Sequence, residues 1–435
     1  MGSGLIERAR LGAGACVLLL GCGLAVAGNS GGFRGPGRNG IYPARGLLKE
    51  WPEGGPPLLW KAQLGRGWTA AGVSGDSVFF CGQKGDTRLG VMTALDLEGR
   101  VLWRTVYGRD STRPRGSPVE SDGMVYHHTV GGVLHAFDAA TGELKWSFDA
   151  STLGDTLGQV GGNSASPLVY GKLVIITLRD SGGVGESGKQ VPCFVGLDKR
   201  TGSLEWRGDL GPCPVPGKGW SNSHASPVLA DGDGGALVVG QFHRCAAAVD
   251  AATGKKLWLL ETVEKGGRRG WRRVRGAVQP VMNEGYAFLF GSEMFRLGEG
   301  GTLEKLWKRH VGIKEYNVSY SHSLIADGRL IVFTPGALRL IDARTGEDLA
   351  SLECEKRGSF VLADAMVYLQ DHRPAMTLIE VKKNGLEQVS SFPLPFTVRK
   401  RDPGAQPFTH PVVAAGRLFV RYLSSVFVFD LRRTQ

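Results

Sequence analysis

Apolar and polar positions alternate in short runs along the chain, broken by Gly, Asp and Asn. Met124-Val125-Tyr126, Leu173-Val174-Ile175, Leu237-Val238-Val239 and Leu418-Phe419-Val420 are such runs, and each predicts a short strand bounded by turns. Each follows a strand start of the form Ser117-Pro118-Val119, Ser166-Pro167-Leu168, Ser226-Pro227-Val228 or His410-Pro411-Val412, with further starts near Ala71, Gln279, Ser323 and Val361. Each leads into an apolar run, Asp, a two-residue turn, Thr-Gly and a Trp. Asp138 with Thr141-Gly142 and Trp146, Asp198 with Thr201-Gly202 and Trp206, and Asp250 with Thr253-Gly254 and Trp258 are the clearest copies.

Weaker copies are Asp96 to Trp103, Leu297 to Trp307, Asp342 with Thr345-Gly346, Glu380 with Asn384-Gly385, and a final Asp430, making eight units at a mean period of about 48 residues. Four-stranded units at that period predict an all-β, eight-bladed β-propeller of antiparallel blades. Asp and Thr-Gly supply an Asx-type turn whose Gly tolerates positive φ. The Trp, on the outer strand, fills the gap between blades that diverge radially. Trp60, Trp103, Trp146, Trp206, Trp258 and Trp307 hold this position and are read as structural. The eighth unit ends without its Trp strand, whereas Pro57-Leu58-Leu59-Trp60-Lys61 is a Trp strand with no blade before it. The N-terminal strand is therefore expected to close the ring, which spans 57–435 after an extension over 28–56.

Composition agrees, with 66 Gly and 21 Pro among 435 residues leaving little room for long helices and 42% hydrophobic residues supplying a core. Arg8 and Arg10 precede an apolar run from Leu11 to Ala27 that ends in Ala25-Val26-Ala27, the pattern of a secretory signal over 1–27. Leu19-Leu20-Gly21-Cys22 overlaps it and is similar to a bacterial lipobox, so soluble export and a lipid anchor on Cys22 both stand, with membrane association expected only in the second case. Seven Cys are present, without CxxC spacing; Cys193 and Cys213 are the close pair, which can bridge in an oxidising compartment or stay buried as small apolar residues.

The repeat resembles the pyrroloquinoline quinone (PQQ)-like propeller repeat, shared by quinoprotein dehydrogenases and the lipoprotein subunit of the outer-membrane β-barrel assembly machinery. Phe33-Arg34-Gly35-Pro36-Gly37-Arg38-Asn39-Gly40-Ile41, Trp51-Pro52 and Leu59-Trp60-Lys61 are similar to the start of exported bacterial members. In the dehydrogenases, the resemblance implies, the quinone and Ca²⁺ sit on the pore face among carboxylate and amide side chains, with an Asp as base and adjacent Cys forming a disulfide. Here the inner-strand starts are Trp68-Thr69, Arg115-Gly116, Asn163-Ser164, Asn222-Ser223-His224, Arg275-Gly276, Ser321-His322, Ser359 and Thr409-His410. They include no Asp or Glu, whereas Ca²⁺ takes several carboxylate oxygens, and the sequence has no Cys-Cys pair.

Asn163, His224, His322 and His410 are expected to line the pore as polar groups; they come from separate blades, so no metal site is expected. His127-His128 reads as solvated loop. Charge says more: the net +11 attracts anions without singling out nucleic acid, which is not an expected partner. Arg268, Arg269, Arg272, Arg273 and Arg275, with Trp271 among them, enter the fifth blade; Arg399 and Arg401 enter the eighth; Arg113 and Arg115 enter the second. All belong on the pore face, where they suit a protein or an anionic envelope component. The expected function is an exported, non-catalytic binding or assembly scaffold of the periplasm or cell envelope, without a cofactor. The alternatives are a PQQ-dependent dehydrogenase and a polysaccharide-binding or polysaccharide-cleaving propeller.

Overall fold

The computed structural model describes residues 32–110, 114–153, 165–178, 194–211, 225–232, 235–242, 245–261, 279–309, 323–334, 336–354, 358–371, 374–396 and 409–433. Alternating runs pair into eight antiparallel blades of four strands. Blade 1 comprises Gly72–Ser74, Ser77–Gln83, Leu89–Asp96 and Val101–Arg109. Blades 2 to 7 span 119–149, 168–208, 228–261, 281–308, 323–353 and 358–393. Blade 8 takes Val412–Ala414, Arg417–Tyr422 and Ser425–Asp430 from the C-terminus and Leu58–Gln63 from the N-terminus as its outer strand. The eight-bladed propeller and its closure by the N-terminal strand are thus as the repeat pattern predicted.

The core is a series of sandwiches between blades. The two middle strands of each blade are buried almost throughout, whereas the outer strands are mostly exposed or half-buried, with single buried anchors such as Trp103, Tyr107, Trp206 and Phe392. In every blade the pairing of third and fourth strand carries a register shift. Such a bulge increases the local twist, and in six blades it falls where the outer strand brings up its Trp.

The Trp does more than fill a gap, because it lies on the turn of the next blade. Trp60 of blade 8 donates from Nε1 to Leu97 O of blade 1 at 2.8 Å, Trp103 to Ala139 O of blade 2 at 2.9 Å, and Trp307 to Ala343 O of blade 6 at 2.9 Å. The turn beneath must be Gly. Gly99 has φ +83°, and a Cβ there would sit 2.6 Å from the Trp60 ring; Gly202, at φ +75°, meets Trp146 at the same distance. Inside the turn Asp138 Oδ1 accepts from the N–H groups of Ala140 and Thr141 at 3.0 and 2.9 Å, fixing the bend. Asp, Thr-Gly and Trp are therefore one device: the Asp shapes a turn whose Gly receives the Trp of the preceding blade.

Arg421 adds a second seam at the closure. Fully buried, it reaches from blade 8 to the carbonyls of Gly65 and Cys81, at 3.0 and 2.8 Å, and to the hydroxyl of Thr69. Burial lowers its pKa to about 10, so it remains charged at neutral pH.

Candidate functional site

The first strand of each blade faces the ring axis. Before the first strands of blades 2, 3 and 4 stands Ser-Pro, and the serines form a belt. Ala70 N–H donates to Ser117 Oγ, Ser117 N–H to Ser166 Oγ, Ser166 N–H to Ser226 Oγ, and Ser226 N–H to Gln279 Oε1, all at 2.8–2.9 Å. Each inner-strand start thus satisfies a backbone donor of the blade before it, and the Pro carbonyls are left free for other donors.

Those donors come from the N-terminal extension. Residues 32–42 form a tight arm, with Arg38 N–H donating to Gly35 O and Gly40 N–H to Arg34 O. Ile41–Tyr42 then pairs in parallel with the inner strand of blade 7. Arg34 and Arg38 both take left-handed φ, +62° and +53°, a conformation that costs a non-Gly residue about 1–2 kcal/mol. The bend carries both side chains into the interior, where they are 0% and 4% exposed. Arg38 donates to Pro227 O at 2.8 Å, Pro167 O at 2.7 Å and Ser166 O at 3.0 Å; Arg34 Nη2 donates to Ser323 O at 2.6 Å. Phe33 meets the His410 ring edge-on at 5.2 Å. The arm thereby touches blades 3, 4, 6, 7 and 8 around the axis. Burial lowers Arg38 to about 9 and Arg34 to about 10, and no carboxylate is among the groups that offset it.

A second cluster lies between blades 1 and 2. His127 and His128, expected in a solvated loop, are 0% and 1% exposed at the end of a strand whose other neighbours are core; the run Met124–His128 alternates too little for its end to be read as surface. His127 Nε2 contacts Asp110 Oδ2 at 2.9 Å and Nδ1 contacts Gly116 O at 3.1 Å. Both ring nitrogens face acceptors, so the geometry asks for the imidazolium. Burial opposes that charge, but the Cys81 sulfur and the Asp110 carboxylate outweigh it and hold the pKa at about 10. Asp110 Oδ2 also accepts from the Tyr107 hydroxyl at 2.9 Å, and Oδ1 from Val130 N–H at 3.2 Å. Burial and the His127 charge push His128 and His135 down to about 4. The cluster carries a proton firmly, and its described side chains, Asp110, His127, His128 and His135, are all buried.

Of the residues expected to form a binding face, Asn163, His224, His322, Arg268, Arg269, Trp271, Arg272, Arg273, Arg275, Arg399 and Arg401 lie outside the described residues, as do Cys22, Cys193 and Cys213. His410 is buried beside the arm. Arg115 stacks over Trp68, its guanidinium carbon 4.9 Å from the ring centroid, so the two side chains at the starts of blades 2 and 1 are joined. The sequence reading missed Arg34, Arg38 and Asp110. The Gly-Pro-Gly between the two arginines was a usable signal, since a tight bend places both on one side; nothing local marks Asp110.

A closed ring of eight four-stranded blades with an arm on its axis defines a β-propeller of the PQQ-like type. A family model described as outer membrane protein assembly factor BamB matches residues 55–206 and, overlapping, 88–352, and the chain belongs to that family. Outer membrane protein assembly factor BamB of Yersinia pestis is 27% identical over 205 residues, 46% of this chain and 44% of that protein. The chain thus matches less than half the length of that curated relative. Among solved structures, BamB from Moraxella catarrhalis gives a TM-score of 0.59 at 16% identity, over 87% of this chain and 98% of that one. A europium-containing methanol dehydrogenase gives 0.64 at 11% identity, over 91% and 96%. These two likenesses show the fold alone.

The described residues near the axis show no cluster of carboxylates that suits a quinone with its Ca²⁺. The described inner-strand starts offer hydroxyls and carbonyls, Asp110 near that of blade 2 is engaged by His127 and Tyr107, and the arm lies across the axis. Among the described residues no group of three or more His, Cys, Asp and Glu side chains is placed to hold a metal ion.

Proposed function

We propose that the protein is an exported, non-catalytic scaffold of the outer-membrane assembly type, which presents the pore-side loops to a protein partner with an acidic surface. The observation that carries this reading is the arm on the ring axis. A dehydrogenase of this fold needs that space and a free carboxylate for its quinone and metal, whereas here two buried arginines tie the first strands of several blades together. The structure at the axis serves rigidity, and function passes to the loops. Arg268, Arg269, Arg272, Arg273 and Arg275, with Arg399 and Arg401, supply cationic forks suited to carboxylates, Trp271 supplies a stacking surface, and Asn163, His224, His322 and His410 supply polar contacts nearer the pore. Membership of a family whose model is described as an assembly factor supports this reading, in which 1–27 is a leader and the protein works in the periplasm or on the envelope, anchored if Cys22 is acylated. No cofactor is needed for this role.

Reconstitution tests the non-catalytic half. Added quinone and Ca²⁺ should give neither a bound-quinone absorbance nor dye reduction with alcohols or sugars. Stoichiometric binding with turnover would replace the scaffold by an enzyme.

A further inference from the structure

Six seams of the ring carry an indole from the outer strand, and the other two differ from each other. The residue paired at the register shift is Trp in six blades, but Ser390 in blade 7 and Ala350 in blade 6. In blade 7 the N-terminal extension supplies the ring instead. Trp51 N–H donates to Ser390 Oγ at 3.1 Å, and its buried indole lies 6.0 Å from Tyr368 on the second strand. Trp146 stands at the same distance from Tyr126 in blade 2, and Trp307 from Phe288 in blade 5. Trp51 therefore replaces the missing Trp of blade 7.

No Trp among the described residues does this for Ala350. A cavity of about 600 Å³, within the range of ligand sites, opens there on the turn face, away from the pore-side loops. It runs from Tyr286 of blade 5 across the turns of blade 6 to Val381, Lys383 and Asn384 of blade 7. Leu349, next to Ala350, and Val381 form its half-buried apolar wall. Val381 follows Glu380 as Leu97 follows Asp96 and Ala139 follows Asp138, and the carbonyls of Leu97 and Ala139 are the ones that receive a Trp. The acids of the cavity are engaged: Asp342 Oδ1 accepts from the N–H groups of Arg344 and Thr345 at 2.9 and 2.7 Å, and Asp327 Oδ2 from Arg329 Nη2 at 2.7 Å. Arg344 and Lys383 are exposed on the cavity and have no side-chain partner among the described residues.

We propose that this cavity is a docking site for an acidic segment of a partner protein, which lays an aromatic side chain against Leu349 and Val381 and sets carboxylates on Arg344 and Lys383. The ring argues for the aromatic group, since an indole covers the equivalent surface at the seven other seams, and an indole brings a large apolar area. The free cations argue for the carboxylates, which Arg pairs through two parallel hydrogen bonds. A second copy of this chain, at net +11, is a poor electrostatic match. The site is independent of the pore-side loops and stands or falls without them.

The test titrates the full chain, with Leu and Val methyl groups isotopically labelled, with the peptide acetyl-Glu-Trp-Glu-amide. The methyl resonances of Leu349 and Val381 should shift saturably, and acetyl-Glu-Leu-Glu-amide and acetyl-Lys-Trp-Lys-amide should each bind at least about tenfold more weakly. Arg344→Glu combined with Lys383→Glu, both at exposed positions, should weaken the acidic peptide by a similar factor at low salt, where such contacts are least screened. Ala350→Trp places the missing ring from within and should abolish the shifts; if that variant does not fold, the charge-reversed variant decides. Changing Arg269, Arg272 and Arg273 to Glu should leave binding intact, which separates this site from the loops. Absence of a saturable shift, equal affinity for the Leu peptide, affinity unchanged by charge reversal, or binding lost with the loop arginines would overturn the proposal.

Discussion

The contact between a Trp and the turn of the next blade can be tested at the seam where the chain's two ends meet. Gly99→Ala adds one methyl under Trp60. Two effects follow: the left-handed φ of +83° costs about 1–2 kcal/mol for a residue with a Cβ, and the new carbon falls 2.6 Å from the ring, so Trp60 or the turn must move. Overpacking of this kind costs about 1–3 kcal/mol. Gly75→Ala is the control, because it lies in the same blade at φ +53° with nothing within 4 Å of its Cβ position. The two variants share the backbone cost, so their difference, about 1–3 kcal/mol, is the packing of Trp60. An unfolding entropy of about 2.1 cal/mol/K per residue gives the ring roughly 0.9 kcal/mol per degree, so Gly99→Ala should melt about 1–3 °C below Gly75→Ala. The gap should vanish in a Trp60→Ala background, where the methyl has nothing to strike. Equal midpoints of the two single variants, or a gap that survives Trp60→Ala, would refute the assignment of Trp60 as the residue that seats the closing strand.

Three further outcomes follow. Stability should fall at both ends of the pH range. His127, raised to about 10 from an ordinary 6.5, contributes stability that is fully present below pH 6.5 and lost as pH rises through 10, while His128 and His135, lowered to about 4, contribute stability present above 6.5 and lost as pH falls through 4. Asp110→Asn should cost about 3–5 kcal/mol by stranding the His127 charge and flatten the alkaline limb, which thermal melts from pH 4 to 10 would read; an unchanged alkaline limb counts against the ion pair. Removing the chain up to Gln63 should expose the edge of Ser425–Asp430 and promote aggregation, seen by light scattering, whereas a chain starting at Leu47 keeps that edge covered and loses only the axial arm.

How much of this was legible beforehand depended on whether a residue's partner was local. The Asp-Thr-Gly-Trp spacing is set within one blade, so blade number, strand order and the closing role of Trp60 could be read directly. The Gly of that motif looked like a turn residue only; that it also receives the Trp of the preceding blade needs the ring. Arg34 and Arg38 stood in the part of the chain that carried the family likeness, but their acceptors, Ser323, Pro167 and Pro227, are more than a hundred residues away. His127 and His128 read as solvated loop because Asp110, which makes His127 a buried cation, follows the last strand of the neighbouring blade. The loop arginines rest on charge and topology alone.

The central claim is that the pore-side loops engage a partner of the outer-membrane assembly apparatus through charge. Tagged protein recovered in one step from mildly solubilised native envelopes, beside the variant with Arg269, Arg272 and Arg273 changed to Glu, tests it most directly. A β-barrel assembly protein should co-elute at near-equal amount with the wild type, fall away as salt is raised, and be absent from the equally well-folded variant. Recovery of that protein in equal amount with both forms, or its absence from both, would contradict it.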